Sequence, residues 1–283
     1  MKPSTPLRTW TTRILAASLL VVASGSVLAG QTLDRVMKTK TLTMSSDPEY
    51  PPQSFLNDNN QMDGFDVDVG KAIAKRMGVE LKIVTPAWEV ITAGKWSGRW
   101  DMSVGSMTPT KKRAEVLNFP AVYYYTPASF AVHTDSKISS ISELNGKVIG
   151  TCGGCTYDAY LNKNLTIDAA GVPKFDYQVT PGEIKTYETD TNAFDDLRIG
   201  EGVRLDAVFS ALPTIKEAIK NGYPMKVIGD PAFYEPLAIA TDKGDPEFDA
   251  KIKEIVDAMH KDGTLTKLSM KWYGVDLTTI NSN

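Results

Sequence analysis

The sequence predicts an α/β protein of two lobes, each built on a mostly parallel sheet, with two strands crossing between them. Three observations carry this. Apolar runs of strand length alternate with helix-period patterns along the chain, as βαβ units require. The chain has 283 residues, 42% hydrophobic and 23% charged, enough for about two domains that each bury a core. No internal repeat and no linker of biased composition divides it, so the lobes are joined by strands where the chain crosses and later returns.

The elements follow in order. Thr41 to Ser46 reads as a strand. Asp66 is placed to cap a helix through Met77, with Val69, Ile73 and Met77 on one face. Leu81 to Val84 is a strand, Val90 to Gly94 a weak helical turn, Met102 to Val104 a short strand and Lys111 to Leu117 a short helix. Thr126 to His133 and Pro236 to Thr241 are extended, apolar candidates for the crossings, which puts one lobe at 30–130 with 237–283 and the other at 131–236. Within the second lobe, Lys147 to Thr151, Phe175 to Val179 and Asp206 to Phe209 read as strands, with helices over Thr191 to Ile199 and Thr214 to Asn221. Pro246 to His260 is amphipathic, with Phe248, Ile252, Ile255, Val256 and Met259 on one side. Leu265, Leu268 and Trp272 stripe a final helix.

The N-terminus stands apart from this fold. Lys2, Arg8 and Arg13 precede an uncharged run from Ile14 to Ala29 that ends in small residues, which is the pattern of a cleaved secretory signal peptide. Val27 and Ala29 set the expected cleavage after Ala29. A retained anchor is the alternative, but 16 residues fall short of the ~20 that a spanning helix needs. Removing 29 residues with three cations and no acid from a chain of net charge −3 leaves 254 residues at −6. The expected product is an acidic, exported, periplasmic protein, in a compartment that permits disulfides.

That charge excludes a typical nucleic-acid binder, which carries a basic face. Two His and two Cys are too few for most His/Cys metal sites, and two Cys cannot form a disulfide framework. His133 and His260 read most simply as structural or exposed.

The chemistry concentrates at three strand ends, the edge where open α/β sheets bind ligands. In Asp101 to Pro120 a strand is expected to end at Gly105, with Ser106 and Thr108 in the following turn and Thr110 capping a helix that contains Arg113. Backbone N–H groups, two hydroxyls and a guanidinium converge there as an anion site suited to a carboxylate. A plain capped helix with an exposed basic face is the simpler alternative. DPEYPP, from Asp47 to Pro52, presents Tyr50 from a proline-stiffened loop, and TPAWEV presents Trp88. Two aromatics facing an anion site would sandwich a small ligand; otherwise both are ordinary core side chains.

Four segments also carry a resemblance: GFDVDVGKAIAKRMGV (Gly64 to Val79), GSMTPTKKR (Gly105 to Arg113), LNGKVIGTCGGCT (Leu144 to Thr156) and MHKDGTLTKLSMKWYG (Met259 to Gly274). Together they resemble the polar amino-acid family of periplasmic substrate-binding proteins that serve ABC importers (solute-binding protein family 3). The resemblance covers nearly the whole mature chain. It implies the type II periplasmic-binding-protein fold, a monomer that docks on a membrane permease, and no cofactor. It places stacking aromatics at Tyr50 and Trp88, and a carboxylate clamp at Arg113 with Ser106, Thr108 and the backbone around Gly105. It puts a second-lobe contact at Thr156 beside Cys152, and an acid for polar ligand tails at Asp47. One position departs from the family. The Asp that usually holds the ligand's α-ammonium is replaced by Ala211, leaving Asp190 and Glu235 as substitute acceptors. Asp190 could equally be a helix cap.

Cys152 and Cys155 admit three readings: a local structural disulfide, two packed thiols, or a thioredoxin-like redox pair. The position of CGGC, where the family touches its ligand, argues against redox work. The leading reading is an extracytoplasmic protein that captures a small carboxylate-bearing solute, an amino acid, for import. Two alternatives remain. One is a dehydratase of the cyclohexadienyl type on this fold, with Asp190, Glu235 or Glu89 as general acid. The other is a periplasmic accessory of a quinoprotein dehydrogenase.

Overall fold

The computed structural model describes residues 31–280, and Met1 before them; the leader and its cleavage point after Ala29 lie outside the described residues. In chain order the first lobe's elements are α1 (Gln31–Thr39), β1 (Thr41–Ser45), β2 (Glu49–Tyr50), β3 (Ser54–Leu56), β4 (Met62–Asp63), α2 (Phe65–Met77), β5 (Glu80–Val84), α3 (Trp88–Thr92), β6 (Met102–Met107) and α4 (Lys111–Ala114). The chain crosses in β7 (Leu117–His133). It then forms β8 (Val148–Cys152), α5 (Thr156–Leu161), β9 (Glu183–Tyr187), α6 (Asp190–Leu197), β10 (Ala207–Ala211) and α7 (Leu212–Lys220). It returns in β11 (Met225–Asp242) and closes with α8 (Pro246–Lys261) and α9 (Thr264–Tyr273).

Eight strands form one curled sheet in the order β5-β1-β6-β11-β7-β10-β8-β9. Its two ends are parallel, β1 pairing with β5 and β6, and β8 with β9 and β10. Between them β7 and β11 run antiparallel, from Met225 opposite His133 to Asp242 opposite Leu117. The expected crossings are thus parts of strands 17 and 18 residues long, and through them the parallel halves of the two lobes are hydrogen-bonded into one sheet.

The cores separate along the same line. One, from Val36 to Tyr124 and Leu237 to Leu265, lies between the first parallel half and helices α2, α8 and α9. A second gathers Ala128 to Phe233 around Tyr160 and Phe209, and a third packs α6 and α7 on the opposite face of that half. All five residues of the α8 stripe are buried; each such side chain contributes about 1.5–3 kcal/mol. Helix α2 lies close on β1 because residue 70 is glycine: a Cβ there would stand 2.3 Å from Met44 Sδ.

Several expectations need correction. Asp66 does not cap α2. Gly64 stands at that end with φ 125°, a conformation open to glycine, and the Asp66 side chain turns into the lobe. Strand β6 does not end at Gly105 but continues to Met107, held at Met107 by pairing with Ala238 of the return strand. Helix α4 stops at Ala114, because Leu117 already begins the crossing strand. Phe175 to Val179 is not a strand. Its apolar residues cover Tyr160 instead, whose hydroxyl donates to Asp176 O and accepts from the Gln178 N–H. The edge strand is β9, whose alternating charged residues hid it.

Candidate functional site

The two lobes meet across a cleft at the ends of β1, β6 and β8, and they touch. Lys111 N donates to Thr166 O at 3.1 Å, and Asp168 N to Pro109 O at 2.9 Å. Gln53 hydrogen-bonds Thr214, and the Tyr50 and Tyr157 hydroxyls stand 3.4 Å apart. The ten residues expected to bind a ligand line this cleft: Asp47, Tyr50, Trp88, Gly105, Ser106, Thr108, Arg113, Cys152, Thr156 and Asp190; Glu89, offered as a general acid, is exposed and is not among its lining residues. Glu49, Cys155, Tyr157, Glu188, Thr189 and Glu235 complete the wall.

Arg113 is buried at the centre. Thr110 caps α4 as expected, its hydroxyl accepting from Arg113 N at 3.2 Å, which fixes where the side chain leaves the backbone. The guanidinium lies over the Trp88 ring at 5.2 Å. It donates to Thr108 O at 2.9 Å and to Gly154 O at 3.1 Å, joining the lobes. No carboxylate among the described residues lies within ion-pair distance of it. Burial lowers its pKa to about 10, opposed by the negative charge of Glu235. Two of its five N–H groups are thus used within the protein, and the charge is desolvated without a counter-ion in contact.

The hydroxyls expected to clamp a ligand carboxylate have protein partners. Ser106 adopts φ 51°, and its Oγ donates to Asp66 Oδ2 at 2.8 Å while its N–H donates to the Tyr123 hydroxyl. Tyr123 OH in turn donates to Asp66 Oδ1 at 2.6 Å. Burial pushes Asp66 up to about 7, against the pull of these hydrogen bonds. Thr108 Oγ1 and Thr156 Oγ1 each donate to Glu235 Oε2 at 2.6 Å, and the Tyr157 hydroxyl donates to Oε1. Thr126, opposite Glu235 in the ladder, completes the set at 3.4 Å. Glu235 is 2% exposed. It therefore joins a first-lobe hydroxyl, a crossing strand and the start of α5. The sequence offered it as a stand-in acceptor or a general acid, not as a junction of hydroxyls; Tyr157, which follows Thr156 directly, drew no notice, and Asp66 was read only as a helix cap.

Asp190 is the first residue of α6, but Thr189 is the cap, its hydroxyl accepting from Asn192 N at 3.3 Å. The Asp190 carboxyl is freed from that duty, 4% exposed, with no partner for Oδ1. Burial drives it up to about 7 against the pull of the nearby Ser210 hydroxyl, and the charges of Asp47 and Glu235 push the same way as burial. Asp47 accepts from Glu49 N at 2.8 Å and is also raised, chiefly by burial. Ala211 is buried at the start of α7 and offers no acceptor side chain.

Cys152 and Cys155 form a disulfide across the β8–α5 turn. It pins Gly154, whose carbonyl meets Arg113, and Thr156, whose hydroxyl meets Glu235. The histidines stand apart from the cleft: His260 Nε2 lies 3.0 Å from Val122 O, and His133 Nδ1 accepts from Asp135 N. Among the described residues no cluster of three or more His, Cys, Asp or Glu could hold a metal ion, and no helix is long and apolar enough to cross a membrane.

Known proteins share this architecture. The chain is 28% identical over 272 residues to the L-cystine-binding protein TcyJ of Escherichia coli K12, covering 94% of this chain and 95% of that one. It is 28% identical over 247 residues to the L-arginine-binding protein of Pseudomonas aeruginosa, covering 84% and 90%. Among solved structures, an ancestral amino-acid-binding protein described as a precursor of cyclohexadienyl dehydratase superposes with a TM-score of 0.73 at 30% identity, over 86% of this chain and 99% of that one. An ancestral arginine-binding protein bound to arginine gives 0.71 at 29%, over 83% and 99%. The family model of the bacterial extracellular solute-binding proteins, family 3, matches residues 42–275, and this chain belongs to that family.

Proposed function

We propose that the protein captures an amino acid outside the cytoplasm by closing its two lobes, and delivers it to the membrane permease of an ABC importer, without chemistry of its own. The carrying observation is Arg113: a buried guanidinium between the lobes with three N–H groups to offer and no carboxylate in contact. A ligand carboxylate supplies the missing counter-ion through two parallel hydrogen bonds. Trp88 and Tyr50 flank it, and the unpartnered Oδ1 of Asp190 accepts from the α-ammonium in place of the side chain that Ala211 lacks. The moving units are 30–130 with 237–283 and 131–236, and β7 and β11 bend between them.

Mass spectrometry of the solute released from denatured, natively purified protein tests the reading directly. Calorimetry with an amino acid and its des-amino analogue tests the polarity. A preference for the amino acid of a hundredfold, about 2.7 kcal/mol, that collapses in Asp190→Asn is expected. Equal or tighter binding of the des-amino acid replaces the amino acid with a simple organic acid.

A dehydratase is the second reading, favoured by one observation: Asp190, whose burial raises its pKa to about 7, is suited to proton donation in a cleft. Turnover of prephenate or arogenate by the purified protein would replace binding with catalysis.

A further inference from the structure

We propose that residues 164–168 of the second lobe form a strap that pairs as a strand with residues 109–111 of the first lobe, and that this strap holds the lobes together whether or not a solute is bound. The inference goes beyond capture and does not depend on what the solute is. The strap lies in the long connection between α5 and β9, and its root is fixed to the second lobe. Leu165 is buried in that lobe's core, its carbonyl accepts from the Tyr177 hydroxyl at 3.2 Å, and Asn164 N donates to Ala159 O at 2.9 Å. Thr166 and Ile167, both β-branched and suited to extended chain, reach the first lobe. There Thr110 and Ile167 face each other in an antiparallel bridge. Two bonds bracket that pair, Lys111 N to Thr166 O at 3.1 Å and Asp168 N to Pro109 O at 2.9 Å.

This pairing is independent of the solute because of where it stands. None of the residues that make it lines the solute cleft, and both bonds join backbone groups, so no ligand atom competes for them. The contacts of Arg113 with Gly154 and of Tyr50 with Tyr157, by contrast, are made by residues at the cleft wall. The strap also meets a need that the first lobe leaves open. Lys111 begins α4, and the first N–H groups of a helix have no partner within it. Thr110 Oγ1 takes the one on Arg113, and the strap takes the one on Lys111. A second cavity, lined in part by Asn164, Leu165 and Thr166, shares Arg113, Cys155 and Thr156 with the solute cleft. The strap therefore walls a space that leads to Arg113, and parting it opens that end of the cleft to water. A device that favours closed lobes with or without solute reduces the fraction of empty protein ready to capture, and it slows release.

One strap bond can be deleted with little disturbance elsewhere. Lys111 is the first residue of α4, a position where proline fits, and Thr110 before it has φ −118° and ψ 157°, the extended conformation that precedes proline. Lys111→Pro removes the donor to Thr166, and Lys111→Ala keeps it. The test is amide exchange by NMR and small-angle X-ray scattering on the whole mature protein, cleared of solute by unfolding, dialysis and refolding. In the solute-free parent the Asp168 amide should exchange about tenfold or more slowly than in an unprotected chain. Lys111→Pro should lose roughly two- to tenfold of that protection, the share of one backbone hydrogen bond, and show a larger radius of gyration. Lys111→Ala should match the parent in both. An Asp168 amide that exchanges at the unprotected rate in the solute-free parent overturns the proposal. So does a Lys111→Pro chain that matches the parent in protection and radius, and so does lost protection at an unchanged radius, which would make the strap a local fastening with no hold on the lobes. The parent measurement needs no variant, so a Lys111→Pro chain that fails to fold does not shield the proposal. No arm uses a ligand, so a failure of amino-acid binding would strike the reading above and leave the strap standing.

Discussion

Arg113 Nη2 reaches across the cleft to the backbone oxygen of Gly154, 3.1 Å away, so the residue best placed to hold a ligand's carboxylate also ties the lobes together. Arg113→Ala should lose binding while keeping the fold. Removing one partner of a buried charged pair costs about 2–5 kcal/mol, roughly 30-fold to several-thousand-fold in affinity. Arg113→Lys should also bind poorly, since an ammonium cannot make the planar two-pronged contact or rest on Trp88 in the same way. Titration calorimetry with the native solute checks both; near-parental affinity in the alanine variant would misplace the anion site.

The disulfide should matter to the site more than to the fold. It closes a loop far shorter than the 15 residues for which about 3 kcal/mol is expected, so its entropic contribution is smaller than that. Protein isolated from an oxidising compartment should show no free thiol without reductant. The double variant Cys152→Ser with Cys155→Ser should melt within a few degrees of the parent, yet bind less tightly, because Gly154 and Thr156 lose their fixed positions. A large fall in melting temperature with unchanged affinity would reverse that assignment.

Acid should stabilise the unliganded protein over a defined window. Asp66 and Asp190 sit near 7 because burial penalises their charged forms, whereas an unfolded chain holds them near 3.8. The folded state thus binds protons more tightly at both. Stability from these groups is full below about pH 4, falls as pH rises to about 7, and is level above. Exposed Glu143 and Asp262, held near 2 chiefly by hydrogen bonds, act in the opposite sense but only below about pH 4. Melting temperature should therefore decline from pH 4.5 to 7.5, as about the span these pKa values set. Asp66→Asn with Asp190→Asn should flatten the decline; an unchanged slope would place its origin elsewhere.

Gly64→Ala should destabilise markedly. Its φ of 125° is strained for any L side chain, and an added Cβ would lie 2.3 Å from the Gln53 carbonyl oxygen, which is backbone and cannot swing aside. A loss of about 1–3 kcal/mol is expected from the strain alone. Urea unfolding measures it.

What could be read from the chain divides by physical cause. Helix α8 was plain because five apolar residues repeat at helical spacing against one core. The crossing strands showed only where they are continuously apolar; their outer parts, such as Leu117 to Tyr125, carry mixed residues and drew no strand expectation. Strand β9, EIKTY, sets charged Glu183 and Lys185 around a single aliphatic Ile184 at a sheet edge and left no apolar run to find. In the site, strand-end residues of special type were visible: a proline-flanked Tyr50, a Trp88, an Arg113 behind its cap. Glu235 was not, as the hub it is. Its role depends on four hydroxyls from residues 108, 126, 156 and 157, which the fold brings to one carboxylate. Asp66 was misread for a related reason: an acid near a helix start usually caps, and nothing local shows that the Phe65 and Asp66 N–H groups are taken by Pro52 O and Gln53 O.

The stacking of Arg113 on Trp88 has an optical consequence. Of the described tryptophans, Trp96 and Trp100 pack against each other inside the first lobe and Trp272 lies beside Phe55 on its outer side. Trp88 alone among them faces the cleft, its indole nitrogen buried without a partner and a cation over its ring. Lobe separation would bring water to that nitrogen and withdraw the Gly154 contact that steadies the guanidinium. The emission of one indole should thus follow the opening and closing of the cleft, giving an intrinsic fluorophore for watching capture and release in real time, with no dye attached.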